Sequence, residues 1–220
     1  MRNKSGIFKR LLLLIILSCV SVSGKNLTKL FAADFYWENP QIITDTDSRF
    51  PVTVFGKDGK STYLFWQEVD VAKHQIYLSV RQYKTLKNYS ENRRFAGPFS
   101  YSGDEVPDLY TVSALKKGTV GVAVMTGLSN LSVFVSDDEC TTFTETKFPA
   151  ASAITVAPRL YASGADTFRL FTSVGEENSF SIFYTDSSDG LKWSKFAQFQ
   201  PAANYRNPFI PVLLASPFGA

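Results

Sequence analysis

The chain has 220 residues, with 23 Lys+Arg against 20 Asp+Glu, one His and two Cys. Two cysteines exclude a disulfide scaffold and any four-cysteine zinc site, and a lone histidine excludes two- and three-His metal centres. No metal and no cofactor is expected. The formal net charge of +3 has to be divided along the chain before it implies a partner.

Residues 1–10 (MRNKSGIFKR) carry Arg2, Lys4, Lys9 and Arg10 and no acid. An uninterrupted aliphatic run, LLLLIIL, follows at 11–17, and then Ser18, Cys19 and the small-residue stretch VSVSG. A basic flank, a short apolar core and a small-residue exit describe a secretory signal peptide over 1–24. The apolar run falls short of the roughly 20 residues that a membrane span needs. Ile16-Leu17-Ser18-Cys19 resembles the bacterial lipobox, which implies acylation of Cys19 and a lipid anchor in the cell envelope without a spanning segment. Val22-Ser23-Gly24 offers ordinary signal peptidase a second site, with a periplasmic or secreted product. Removal of the leader at either site leaves 19 basic and 20 acidic residues, so the apparent basicity belongs to the targeting signal. Cys140 then has no intramolecular partner, and no structural disulfide is expected.

Residues 25–48 read as an N-terminal extension with one strand, and residues 49–220 as a repeat. Four segments open with proline and continue as a short apolar strand, at Pro51–Phe55, Pro107–Tyr110, Pro158–Tyr161 and Pro208–Val212, spaced by 56, 51 and 50 residues. After each of the first three comes a second β-rich run, at Ser61–Trp66, Thr119–Val124 and Thr167–Thr172. Third runs follow at Gln75–Val80, Leu131–Ser136 and Ser181–Thr185, and fourth strands close the units near 97–101, 142–148 and 192–199. The runs are rich in Val, Ile, Thr, Phe and Tyr and are separated by Gly, Asp, Asn and Ser. No segment after residue 33 sustains a 3.6-residue apolar period. Four strands per unit of about fifty residues, repeated, predict an all-β partial β-propeller of about three blades plus the first strand of a fourth. A β-sandwich is the competing architecture.

Two segments lie in phase with the repeat. Ser136-Asp137-Asp138-Glu139-Cys140-Thr141-Thr142-Phe143 has the layout Ser-x-Asp-x-Gly-x-Thr-Trp, with Cys140 in place of Gly and Phe143 in place of Trp. Ser187-Ser188-Asp189-Gly190-Leu191-Lys192-Trp193 is a variant one residue shorter. Their aspartates stand 51 residues apart and their aromatics 50. This pair resembles the Asp-box (BNR) repeat of sialidases and related propellers, and the resemblance covers about residues 49–215. No such box stands at Ser79–Ser90. A carboxylate that accepts backbone N–H bonds locks a turn and its aromatic buries against the sheet. Ser136, Asp138, Phe143, Ser187, Asp189 and Trp193 are accordingly structural candidates.

Sialidases hold the substrate carboxylate with arginines, one of them from an Arg-Ile-Pro motif, and use a Tyr/Glu nucleophile and an aspartate acid/base. The resemblance carries Arg49, in Ser48-Arg49-Phe50-Pro51, to the carboxylate clamp and Asp70 to the acid/base. Arg206-Asn207-Pro208 repeats the Arg-x-Pro spacing, so that pattern also reads as a habit of blade starts. The remaining arginines and the Tyr/Glu pair have no counterpart. His74 reads as a surface histidine, and Asn26, Asn88 and Asn130 head glycosylation sequons that matter only in a eukaryotic source. Lys84, Lys87, Arg93 and Arg94, interleaved with Tyr89, form a loose basic loop with no nucleic-acid partner expected after export. The last unit consists of one strand, which predicts the N-terminal part of a longer propeller or self-association through an open blade edge. The function expected is that of a cell-envelope module binding a glycan or protein ligand at the cell surface. A sialidase-type glycoside hydrolase, or a remnant of one, is the alternative.

Overall fold

The computed structural model describes residues 44–85, 87–126, 130–148, 154–164, 166–176 and 179–199. The chain divides into two units, 1–43 and 44–220, and every described residue belongs to the second. The leader with Cys19, most of the 25–48 extension and the strand expected at Pro208–Val212 lie outside the described residues.

The described chain is all-β, with one 3-10 turn at Val71–Lys73. Three antiparallel sheets follow one another in sequence. The first contains β1 (Asp47–Phe55), β2 (Thr62–Asp70), β3 (Gln75–Thr85) and β5 (Arg93–Ser100), with a two-residue β4 (Asn88–Tyr89) closing a hairpin on the end of β3. The second is β6 (Tyr110–Ala114), β7 (Val120–Thr126), β8 (Asn130–Ser136) and β9 (Thr144–Phe148). β10 (Ile154–Ser163), β11 (Thr167–Glu176), β12 (Ser179–Ser187) and β13 (Ala197–Phe199) make the third. Strand order follows the sequence, so β1, β6 and β10 lie at corresponding edges, and β6 lies against both β1 and β10. The sheets are blades of a partial β-propeller.

Period-2 alternation explains how the blades stack, because successive side chains on a strand point to opposite faces. Tyr63 and Phe65 of β2 and Ile76, Leu78 and Val80 of β3 meet Val120, Val122 and Val124 of the second blade. On the opposite face of that blade, Ala123, Leu131, Val133 and Val135 meet Leu160, Phe168 and Leu170 of the third. The middle blade thus reads as nearly continuous apolar strands because both of its faces are buried. Each large side chain buried in these seams contributes on the order of 2 kcal/mol.

Strand starts shift in both directions: β1, β5 and β10 begin four residues earlier than expected, at Asp47, Arg93 and Ile154, whereas β6 begins later. The second blade begins at Tyr110 rather than at Pro107. Fully buried Gln67 of β2 explains the difference, since its Nε2 donates to Pro107 O at 2.9 Å and its Oε1 accepts from Leu109 N at 2.7 Å. A side chain of the first blade thereby takes backbone groups that a longer strand would pair. The fourth strands of the second and third blades also start later than expected, at Thr144 and Ala197, because the residues before them form turns.

Candidate functional site

The turns after β8 and β12 are built around their aspartates. Asp138 Oδ1 accepts from Ser136 Oγ (2.8 Å), Thr141 N (3.0 Å) and Thr142 N (2.9 Å), while Oδ2 accepts from Thr142 Oγ1 (2.7 Å). Asp189 Oδ1 accepts from Ser187 Oγ (3.0 Å), Leu191 N and Lys192 N (both 2.8 Å). Each serine also accepts from the next buried backbone amide, Cys140 N at 3.0 Å and Gly190 N at 2.8 Å. Partial desolvation raises the Asp138 carboxyl, but the bonds from Thr142, Ser136 and Thr141 outweigh it and bring it down to about 2. The amides of Lys192 and Leu191 likewise hold Asp189 below the usual carboxylate range.

Both turns dock on the preceding blade. Phe143 stacks on Phe95 of β5 with ring centroids 4.2 Å apart, and Arg93 Nη1 of β5 donates to Cys140 O and Thr141 O. Trp193 meets Phe148 of β9 edge-on at 5.5 Å, while its Nε1 donates to Gly190 O. Phe143 and Trp193 thus reach across to the preceding blade, while Ser136, Asp138, Ser187 and Asp189 bond within their own turns. Cys140 is a free, buried thiol, pushed up to about 12 by burial.

Arg49 and Asp70 stand elsewhere, toward the end of the first blade that carries the β2–β3 turn. The Arg49 fork pairs bidentately with Asp47, Nε to Oδ1 at 3.1 Å and Nη2 to Oδ2 at 2.9 Å. Asp70 caps the 3-10 turn, accepting from Lys73 N, and its Oδ2 lies 2.7 Å from Lys73 Nζ. The hydrogen bond from Lys73 lowers the Asp70 carboxyl, the direction opposite to that required of a general acid. His74 closes the same turn in the left-handed region, exposed and 5.1 Å from the Tyr101 ring.

Asp70 lines an open depression of ≈ 450 Å³ that it shares with Asp47, Glu68, Lys73, Tyr77 and Arg94. Glu68 is buried, accepts from Ser79 Oγ at 2.8 Å and is paired with Arg94 Nε at 2.6 Å. The Arg94 guanidinium covers the Tyr77 ring at 4.4 Å. Sequence reasoning singled out neither Glu68 nor Tyr77 for this site, and it left Arg94 in a loop. The signal was the adjacent pair Gln67-Glu68 inside an otherwise apolar strand, since consecutive buried polar residues in a strand require partners on both faces. Gln67 finds its partner in the second blade and Glu68 finds its own on the first. Among the described residues no group of three or more His, Cys, Asp or Glu is placed to hold a metal ion.

No protein-family model matches the chain, and no curated protein matches it. Solved structures do. A crystal structure of a protein of unknown function from Dyadobacter fermentans is 15% identical, with a TM-score of 0.46 over 67% of this chain and 53% of that one. A GH43 endo-arabinanase from Bacillus licheniformis is 13% identical, with a TM-score of 0.40 over 63% of this chain and 50% of that one. An α-L-arabinanase from Cellvibrio cellulosa is 18% identical, with a TM-score of 0.40 over 70% and 58%. The chain spans about half the length of the solved structures it matches.

Proposed function

We propose that this β-propeller segment is a glycan-binding module of the cell envelope and that it binds without hydrolysing. The observation that supports this reading is the open depression at the β2–β3 end of the first blade. Its carboxylates accept hydrogen bonds from hydroxyl groups, and the Arg94 guanidinium and Lys73 ammonium donate to ring and hydroxyl oxygens. Such alternation of fixed donors and acceptors suits a polyhydroxylated ligand. Every carboxylate in it is already held by a cation: Asp47 by Arg49, Glu68 by Arg94 and Asp70 by Lys73. The pKa values of Asp47 and Asp70 are both lowered, so neither carboxyl is held protonated for proton donation.

The test is glycan-array binding by the full chain, followed by titration calorimetry with a retained glycan. Arg94→Ala is expected to weaken binding at least tenfold, roughly the loss of one charge-assisted hydrogen bond. Asp138→Ala, in a turn between blades, should leave affinity unchanged. Failure to retain any glycan sinks the reading. Turnover of a fluorogenic sialoside that disappears in Arg49→Ala would replace it with the hydrolase.

A further inference from the structure

We propose that the opposite end of the first blade, where β1 turns into β2 and β3 into β4, docks on an anionic lipid bilayer. Phe55, Thr62, Tyr83 and Tyr89 are cross-strand neighbours in a single row. Residues directly opposite in a sheet share a face, so Tyr83 and Tyr89 stand side by side with ring centroids 5.5 Å apart, and Phe55 lies on the same face beyond Thr62. This face does not pack on the second blade, because the alternate residues Tyr63, Phe65 and Val80 do so. Phe55 is 69% exposed and Tyr89 48% exposed. The Arg81 guanidinium lies 4.8 Å from the centre of the Tyr89 ring and props it against Tyr83.

Exposed lysines stand in the same turns. Exposed Lys57 and Lys60 lie in the turn just after Phe55, and exposed Lys84 and Lys87 flank the β3–β4 hairpin. Exposed Lys116 is in the β6–β7 turn, which touches the first: a Cβ placed on Gly118 would lie 2.9 Å from Lys57 Cβ. The acid within the patch, Asp58, accepts from Lys60 N, Ser61 N and Ser61 Oγ, so its oxygens are engaged in the turn. Glu91 lies beyond the hairpin, and the acidic turn at Asp137–Glu139 belongs to the next blade's joint with this one. The sequence cluster of four basic residues is split by the fold. Arg93 and Arg94 turn to Cys140 and Glu68, which leaves Lys84 and Lys87 at the tip.

Turns that carry exposed aromatics beside exposed lysines match an interface in which aromatics sit among headgroups and lysines meet anionic phosphates. A polysaccharide or a nucleic acid would call instead for a groove along which a chain could lie. The proposal rests on the reading that the chain is exported to a membrane-bounded envelope. A basic patch would there supply the second of the two signals that stable attachment takes when a lipid anchor is the first.

The experiment is vesicle co-sedimentation of the full chain on phosphatidylcholine alone and on phosphatidylcholine with phosphatidylglycerol, at low and physiological salt. Wild type and variants carry the same leader, so its contribution cancels. The combined variant Lys57→Glu, Lys60→Glu, Lys84→Glu, Lys87→Glu is expected to lose on the order of 100-fold in partition onto the phosphatidylglycerol vesicles. Its binding to phosphatidylcholine should not change. Phe55→Ser is expected to lose about tenfold in a part that salt does not screen. Unchanged circular-dichroism melts of both variants confirm the fold. Equal binding of wild type and the lysine variant to anionic vesicles overturns the proposal, as does a wild-type preference for a soluble anionic polysaccharide or nucleic acid. Glycan binding at the depression on the β2–β3 end and cell fractionation are read separately, so failure here is distinguishable from failure of the glycan or export readings.

Discussion

The turns after β8 and β12 do the same job with different residues. Both use Ser-x-Asp to gather backbone amides, and both seat an aromatic ring on the outer strand of the blade before. The first is one residue longer and takes up the extra residue by placing Glu139 (φ 59) and Cys140 (φ 61) in the left-handed region. The second needs only Gly190 there, at φ 75. What differs most is the space beneath. The Cys140 side chain is buried in the core between the first and second blades. Under Gly190 that space is filled from the other side, and a Cβ there would lie 2.5 Å from Val135 Cγ2. The carboxylate and its serine are therefore the fixed part of the device. The left-handed residue and the aromatic are fitted to whatever the preceding blade presents.

The largest test of this comparison is Gly190→Ala. It combines overpacking against Val135 with a left-handed alanine, and it is expected to cost about 3 kcal/mol in denaturant unfolding. A cost within about 0.5 kcal/mol of zero would show that the two joints are interchangeable. Asp138→Ala and Asp189→Ala come next, at about 1–2 kcal/mol each, because each strands several turn donors. Nearly equal losses are expected; a loss confined to one turn would break the parallel.

Acid provides a test in which no residue is changed. Asp138 titrates at about 2 in the folded chain and Asp189 below its ordinary value, so both stabilise the fold fully above the unfolded value near 4. That contribution is lost as pH falls from about 4 toward about 2, since the unfolded chain takes up the protons first. Asp138→Asn should flatten the dependence of stability on pH in that window. An unchanged slope would refute the role of the carboxylate. Cys140→Gly is the smallest effect: relief of a left-handed side chain offsets the loss of a buried thiol, leaving a net change within about 1 kcal/mol.

The repeat of strands was legible because each strand alternates or runs apolar according to whether one or both faces are covered, as Val120–Val124 shows. The two turns were legible because their chemistry is local: serine, aspartate and amides within six residues. The depression was not. Glu68 and Arg94 are 26 residues apart in sequence and meet only because β3 pairs with both β2 and β5 in a particular register. Nor could Pro107–Leu109 be read as an approach segment, since what holds it is a glutamine 40 residues earlier. Arg49 lies in β1, and its pairing with Asp47 two residues before is a contact that the Arg-x-Pro spacing does not show.

The direction in which the joints point has a consequence for assembly. Each Ser-x-Asp turn docks backward, onto the blade that precedes it in sequence: Phe143 on Phe95, and Trp193 on Phe148. A chain made from its N-terminus therefore presents every turn with an acceptor that has already been synthesised. Blade-by-blade growth of this kind keeps each new sheet from waiting long with an uncovered face, and it confines pairing choices to nearest neighbours.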